Sequence, residues 1–286
     1  MPSSLGAQAL TRRIFRQWVV TAKMGLIWIT RDLASSLVYL ASDTLTSVSR
    51  VAATFLLAER FGGIGAWSKP QLVFMLGYAM LVDAFVLTFF SYNVAHISRR
   101  IGRGQLDHIL IQPQPIWTAL LTEGFTPFES LTLLIPAIAV LSWAGQGHGF
   151  EATPMRLAIL VLSVVASSLI VVSCSFIWGS LAFWAPRGAE EISSPTLRLI
   201  DSLKPFPLDG VGPSLRMGLL TLIPSGFAAW MPARALVGLD LRPASLLFTP
   251  LAAVLFALVA FLVFRAGLAH YARTGSQRYV SSGHRS

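Results

Sequence analysis

The chain has 286 residues, 54% of them hydrophobic and 12% charged, and 22 Lys and Arg against 13 Asp and Glu give it a formal net charge of +9. Soluble domains carry about 25% charged residues, so this chain cannot coat a water-facing surface, and an ordinary cytosolic enzyme is excluded. Six long apolar stretches recur instead, the pattern of a polytopic, all-α membrane protein.

Residues 1–33 form the first unit. At 100° per residue, Leu10, Ile14, Trp18, Ala22 and Gly25 fall on one side of a helix, flanked by Phe15 and Leu26, with Arg12, Arg13, Arg16 and Lys23 opposite. A basic face opposite an apolar face bearing Trp and Phe suits an amphipathic helix lying in the membrane interface. Val20 and Ile27 break the pattern, and a basic segment that only sets topology is the alternative. The same charges interrupt the apolar core that a cleavable signal peptide needs.

About 20 apolar residues are needed for a helix to cross the hydrocarbon layer. Spans are predicted near 34–58, 71–95, 116–143, 155–184, 216–238 and 244–266, giving a transmembrane domain over 34–266 and a tail over 267–286. Polar or Pro/Gly-bearing breaks separate them at Glu59–Pro70, His96–Pro115, Ala144–Pro154, Pro186–Pro213 and Gly238–Pro243. The long Pro186–Pro213 break, with Glu190, Glu191, Asp201 and Asp209, is read as a solvated loop or a short second cytoplasmic helix. Pro224 and Pro232 interrupt the fifth span.

Orientation follows the Lys and Arg bias. One side collects Arg12, Arg13, Arg16, Lys23 and Arg31, then Arg99, Arg100 and Arg103, then Arg187, Arg198, Lys204 and Arg216, then Arg265, Arg273, Arg278 and Arg285. The other has Arg60, Lys69, Arg156, Arg234 and Arg242. Both termini are therefore expected in the cytoplasm. The positive excess reports topology, and no nucleic-acid partner is needed to explain it.

Ionisable residues inside spans are functional candidates by default. Asp43 and Arg50 lie seven residues apart in the first span, Asp83 lies in the second, and Glu123 and Glu129 in the third. They line a polar pathway, or they serve structure, with Asp43 and Arg50 paired to each other or to neighbouring spans and Glu123 near the interface. No Gly-Lys dipeptide occurs, so the chain has no phosphate-cradling Gly-Lys-Ser/Thr loop of its own. The five histidines show no metal-ligand spacing, the single cysteine, Cys174, offers no disulfide, and no nucleophile has a His/Asp context. No internal repeat supports an inverted-repeat carrier.

The stretch Ser98–Pro115, SRRIGRGQLDHILIQPQP, is the most informative. Gly102 and Gly104 end the helix of the second span. Leu106, Ile109 and Leu110 at i, i+3, i+4 then form a short amphipathic helix with Asp107 in its first turn, and Pro113 and Pro115 stop it. Such an element lies on lipid or inserts its apolar side into a partner.

The order basic, Gly-x-Gly-x-Leu-Asp-x-x-Leu-x-x-Pro between the second and third spans resembles the membrane subunits of ABC type-2 transporters. It is similar in particular to bacterial permeases of about this length that often occur as unlike pairs beside a separate ATPase. Pro224-Ser-Gly-Phe227 with Met231-Pro-Ala-Arg-Ala-Leu236, and the ending Tyr279-Val-Ser-Ser-Gly283, agree with the family. The resemblance implies six transmembrane helices in an exporter-like arrangement, with a coupling helix at about 99–113. Gly102, Gly104, Leu106, Asp107, Leu110 and Pro113 would then seat in an ATPase subunit. The N-terminal helix would match the family's connecting helix. A re-entrant region at about 224–238, with Pro224, Phe227 and Pro232, would lie near the outer face.

By the same resemblance the chain is not itself an enzyme and holds no cofactor; ATP and Mg belong to the partner ATPase. It would pair with an identical or homologous permease in a bacterial cytoplasmic membrane and export its substrate. An ion-gradient-driven carrier or channel without an ATPase is the alternative function.

Overall fold

The computed structural model describes residues 4–61, 66–147 and 150–275, and these fold as a bundle of helices. Helix α1 (Ser4–Arg31) meets α2 (Leu33–Phe61) at Asp32. The Asp32 carboxylate accepts the Ser35 N–H at 3.1 Å, an N-cap contact that satisfies one orphan donor of α2. Bonds from the Ser35 hydroxyl and backbone hold that carboxyl below its ordinary range.

Next come α3 (Lys69–Ala95), α4 (Ile97–Gly102) and α5 (Leu106–Leu110). Helices α6 (Ile116–Glu123) and α7 (Leu131–Gly147) follow. Helix α8 (Pro154–Gly179) starts on a Thr153 cap with Pro154 in its first turn, and a 3-10 turn over Ser180–Phe183 extends it. Then come α9 (Pro186–Leu203), α10 (Pro213–Thr221), a π turn over Gly226–Trp230, α11 (Met231–Leu236) and α12 (Ser245–Thr274).

Among the described residues, three helical runs are long and apolar enough to cross a membrane: Lys69–Phe90, Pro154–Phe183 and Ser245–Thr274. The first predicted span lies within the continuous helix α2, and two others take broken forms. The third is broken between Glu123 and Leu131 into α6 and α7. The stretch 216–238 is no single crossing, because Pro224 ends one short helix and Pro232 distorts the next. The Pro186–Pro213 break, expected as a solvated loop or a short second helix, holds the 18-residue helix α9. The last helix runs eight residues past 266, to Thr274, while the Tyr279–Gly283 ending lies outside the described residues.

Helix α3 is the axis of the bundle, packed along α7 and α8, and α8 packs along α12. Trp67, with Phe74, Tyr78 and Val82 of α3, shares one core with Leu141, Val171, Cys174, Ile200 and Trp230. A second core, at the far end of α3, joins Ile97, Leu106 and Ile109 to Phe183, Phe264 and Tyr271. Lipid is as apolar as leucine, so helices associate there through close packing at small residues. Gly267 and Gly179 serve this purpose: an added Cβ would run into the ring of Phe183 at the first and into Ile97 at the second. Gly267→Ala should therefore cost about 1–3 kcal/mol by overpacking. Thermal unfolding in detergent measures it, against Gly218→Ala, whose new methyl meets open space.

Candidate functional site

Three arrangements bring the polar groups of the chain together. The first is the elbow between α3 and α6. Gly104 adopts φ of 69°, a left-handed conformation that favours glycine, and this turns α4 into α5. Leu106 is 0% exposed and Ile109 2%, whereas Leu110 is 46% and Ile111 80% exposed. The apolar set expected to face a partner is thus split: Leu106 anchors the elbow in the core, and Leu110 and Ile111 point away from it. The Asp107 carboxylate accepts the Tyr271 hydroxyl of α12. Gly102 is buried at the end of α4, and Pro113 is exposed. Arg100 donates to Glu123 at 2.5 Å, so that carboxylate ties α4 to the end of α6. Beside the elbow, Trp18 of α1 stacks on Phe125 at 5.1 Å, and Gln17 donates to Gln114 at 3.1 Å.

The second arrangement is a charged centre. Asp83 lies at the midpoint of α3 and accepts from Lys204 Nζ, which also donates to Asp201 at 2.8 Å. The Lys204 side chain is 3% exposed and that of Asp201 58%. This fixes the course of α9. It leaves the Phe183 end of the bundle, where Ala189 packs near Ile97, and brings Lys204 to the depth of the middle of α3. Its buried face carries Ser193, Thr196, Leu197 and Ile200, and its open face carries Glu191, Pro195, Arg198 and Ser202.

The third arrangement is a clasp at the other end. The Asp209 carboxylate accepts from Trp67 Nε1 at 2.5 Å, from Trp230 Nε1 at 2.7 Å, and from the Arg234 guanidinium. Arg216 holds the Asp209 and Val211 carbonyls at 3.0 Å each. Helix α10 and the π turn fold back on each other about Pro224, with Gly226 against Leu219 and Leu220. Pro232, five residues past Phe227, has no N–H for a π-type bond to the Phe227 carbonyl. Ser167 of α8 supplies that bond at 2.8 Å. With its proton so committed, Ser167 accepts from the Tyr78 hydroxyl at 2.9 Å, which joins α3, α8 and the π turn in one relay.

The other predicted polar residues lie elsewhere. Asp43 of α2 accepts from the Thr132 hydroxyl of α7, near Glu129 in the break before α7. The side chain of Arg50 is outside the described residues, so its pairing with Asp43 stays an expectation. Pro224 and Pro232 are buried and Phe227 partly so. Among the described residues, no three His, Cys, Asp or Glu side chains converge as a metal ion would require.

Sequence reading missed Lys204, Asp201 and Asp209 as organisers. The signal was present in α9, where the polar residues Glu191, Arg198 and Ser202 recur at helical spacing.

In comparisons with known proteins, the family model described as ABC-2 family transporter protein matches residues 45–275. No curated protein and no solved structure matches the chain.

Proposed function

The chain belongs to the ABC-2 transporter family, and on that premise we propose that it is the permease of an ATP-driven exporter, working as a pair of chains with separate ATPase subunits. In this reading six crossings are made by α2, α3, the broken α6–α7 pair, α8, α9 with residues 204–212, and α12. The hairpin of α10 and α11 is re-entrant at the outer face. The elbow of α4 and α5 faces the cytoplasm of a bacterial cell, as do both termini. Moving Arg216 to the outer end leaves the basic excess on the cytoplasmic side.

The observation that carries the reading is Asp201, half exposed at the depth of the middle of an apolar helix. Hydrocarbon cannot solvate a carboxylate there, and neither can it solvate the Arg198 guanidinium on the same face. That face of α9 therefore fronts water or a second chain, and a polar pathway between two copies provides both. The test uses a Cys174→Ser background. Arg198→Cys in the assembled transporter is expected to react with a membrane-impermeant thiol reagent, and Leu258→Cys on α12 is expected to resist it. Equal protection of both positions would remove the pathway from α9. Uncoupled flux through liposomes holding this chain alone would favour the gradient-driven alternative.

The elbow supplies a second test. Leu110→Asp or Ile111→Asp should lower co-purification of the ATPase subunit about tenfold or more, as loss of a central apolar anchor does, while thermal stability holds. Leu106→Asp should instead destabilise the permease, since that side chain is in the core. An ATPase yield unchanged by Leu110→Asp and Ile111→Asp together overturns the docking assignment.

A further inference from the structure

One flank of the bundle differs in kind from the α9 face. A cavity of about 200 Å³ lies among α3, α6, α8 and α12, lined by Phe90, Trp117, Val172, Phe176, Ala257 and Phe261, with Ser173 the one hydroxyl-bearing residue on its wall. The Trp117 ring meets Phe261 at 5.8 Å and Phe264 at 4.9 Å between centroids. Trp117 and Phe261 are exposed and Ala257 partly so, and these three form its rim.

The surroundings name the occupant. Helix α12 is buried over only 17% of its apolar stretch, and Leu251, Leu255, Leu258 and Leu262 project from it. In a membrane protein such a helix borders lipid, so the cavity opens to hydrocarbon. Arg265 is exposed four residues after Phe261, one turn further along the same face. From Ala257 to Arg265 is roughly 12 Å along the helix, with apolar wall at one end and a cation at the other. Trp117 follows Pro115 at the start of α6, and tryptophan favours the headgroup level.

We propose that this cavity holds one acyl chain of a membrane phospholipid, with the lipid's phosphate on Arg265. The site takes an anionic phospholipid in preference to a zwitterionic one, because the exposed Arg265 guanidinium stands at its headgroup end. It is separate from the polar face of α9 and needs neither ATP nor the ATPase.

The test is native mass spectrometry of the full-length chain, released from nanodiscs containing equal phosphatidylglycerol and phosphatidylethanolamine. The wild type is expected to retain one phosphatidylglycerol. Ala257→Phe, which fills the cavity from its rim, should lower the retained fraction about tenfold, because each methylene left in the bulk bilayer forfeits its specific contacts. Arg265→Ala leaves the packing untouched and should abolish the preference between the two headgroups while an adduct persists. Wild-type retention in Ala257→Phe, or an unchanged headgroup preference in Arg265→Ala, overturns the proposal. So does an adduct that is not a phospholipid.

Discussion

Asp209→Ala should unlock the hairpin of α10 and α11 and, on the proposed function, abolish transport. The substitution leaves two indole N–H groups and a guanidinium without their shared acceptor, at Trp67, Trp230 and Arg234. Trp67 is buried in the core and Trp230 nearly so, and unmet donors in such places are expensive. The Arg234–Asp209 pair is partly exposed, so the main cost is that of the two buried indole donors, about 1–3 kcal/mol each, and thermal unfolding in detergent should show a loss of that order. Asp209→Asn keeps an acceptor but loses the charge, so its cost should fall between wild type and alanine. Arg234→Met should cost less than Asp209→Ala, because the two Trp bonds survive. Equal stability in Asp209→Ala and wild type would mean that the carboxylate does not hold the hairpin.

The second large effect concerns the charged centre. Lys204→Met takes from the partly buried Asp83 the ammonium it accepts from, and Asp83→Leu takes from the buried Lys204 one of its two carboxylates. Deleting one partner of such a charge pair should cost about 3–5 kcal/mol. The double variant removes the buried pair together, and well-packed apolar replacements of such pairs are often neutral or stabilising. Lys204→Met/Asp83→Leu should thus recover wild-type stability. On the proposed function transport should not recover, because Asp201 loses the ammonium that holds it in place. A stable double variant with full export would reduce the pair to a structural tie.

Where sequence reading succeeded, the signal was physical and local. The helix end at Gly102 and the short helix from Leu106 follow from glycine conformation and apolar spacing, and the structure has both, although the helix of the second span itself stops at Ala95 and α4 is a separate turn of helix. The interruption at Pro224 and Pro232 was equally visible, because proline cannot continue a helical ladder. Helix α9 was foreseen only as the shorter-helix alternative to a solvated loop, because its mean hydropathy resembles a loop. A helix that buries one face against its own bundle and leaves polar residues on the other does not register as apolar, whatever depth it occupies. The break between α6 and α7 was hidden for the opposite reason, since Gly124 to Ser130 sits inside a run of apolar residues. Long-range ties such as Tyr271 to Asp107 and Trp67 to Asp209 link positions 164 and 142 residues apart, and no local pattern encodes them.

The break between α6 and α7 has a mechanical meaning. Thr126, just inside it, donates its backbone N–H to the Thr88 carbonyl and its hydroxyl to the Leu87 carbonyl, each at 2.8 Å. Arg100 to Glu123 makes a second strut between the same two arms of the chain. Helices α3, α4, α5 and α6 thus form a closed frame with the exposed Leu110 and Ile111 at its apex. A closed frame cannot fold at its corners without breaking a strut, so force applied at the apex moves the whole triangle. The lever arm is α3 itself, which carries Asp83 at its middle and Trp67 just before its far end. A push on one side of the membrane would reach the charged centre and the outer clasp as displacement of one rigid part.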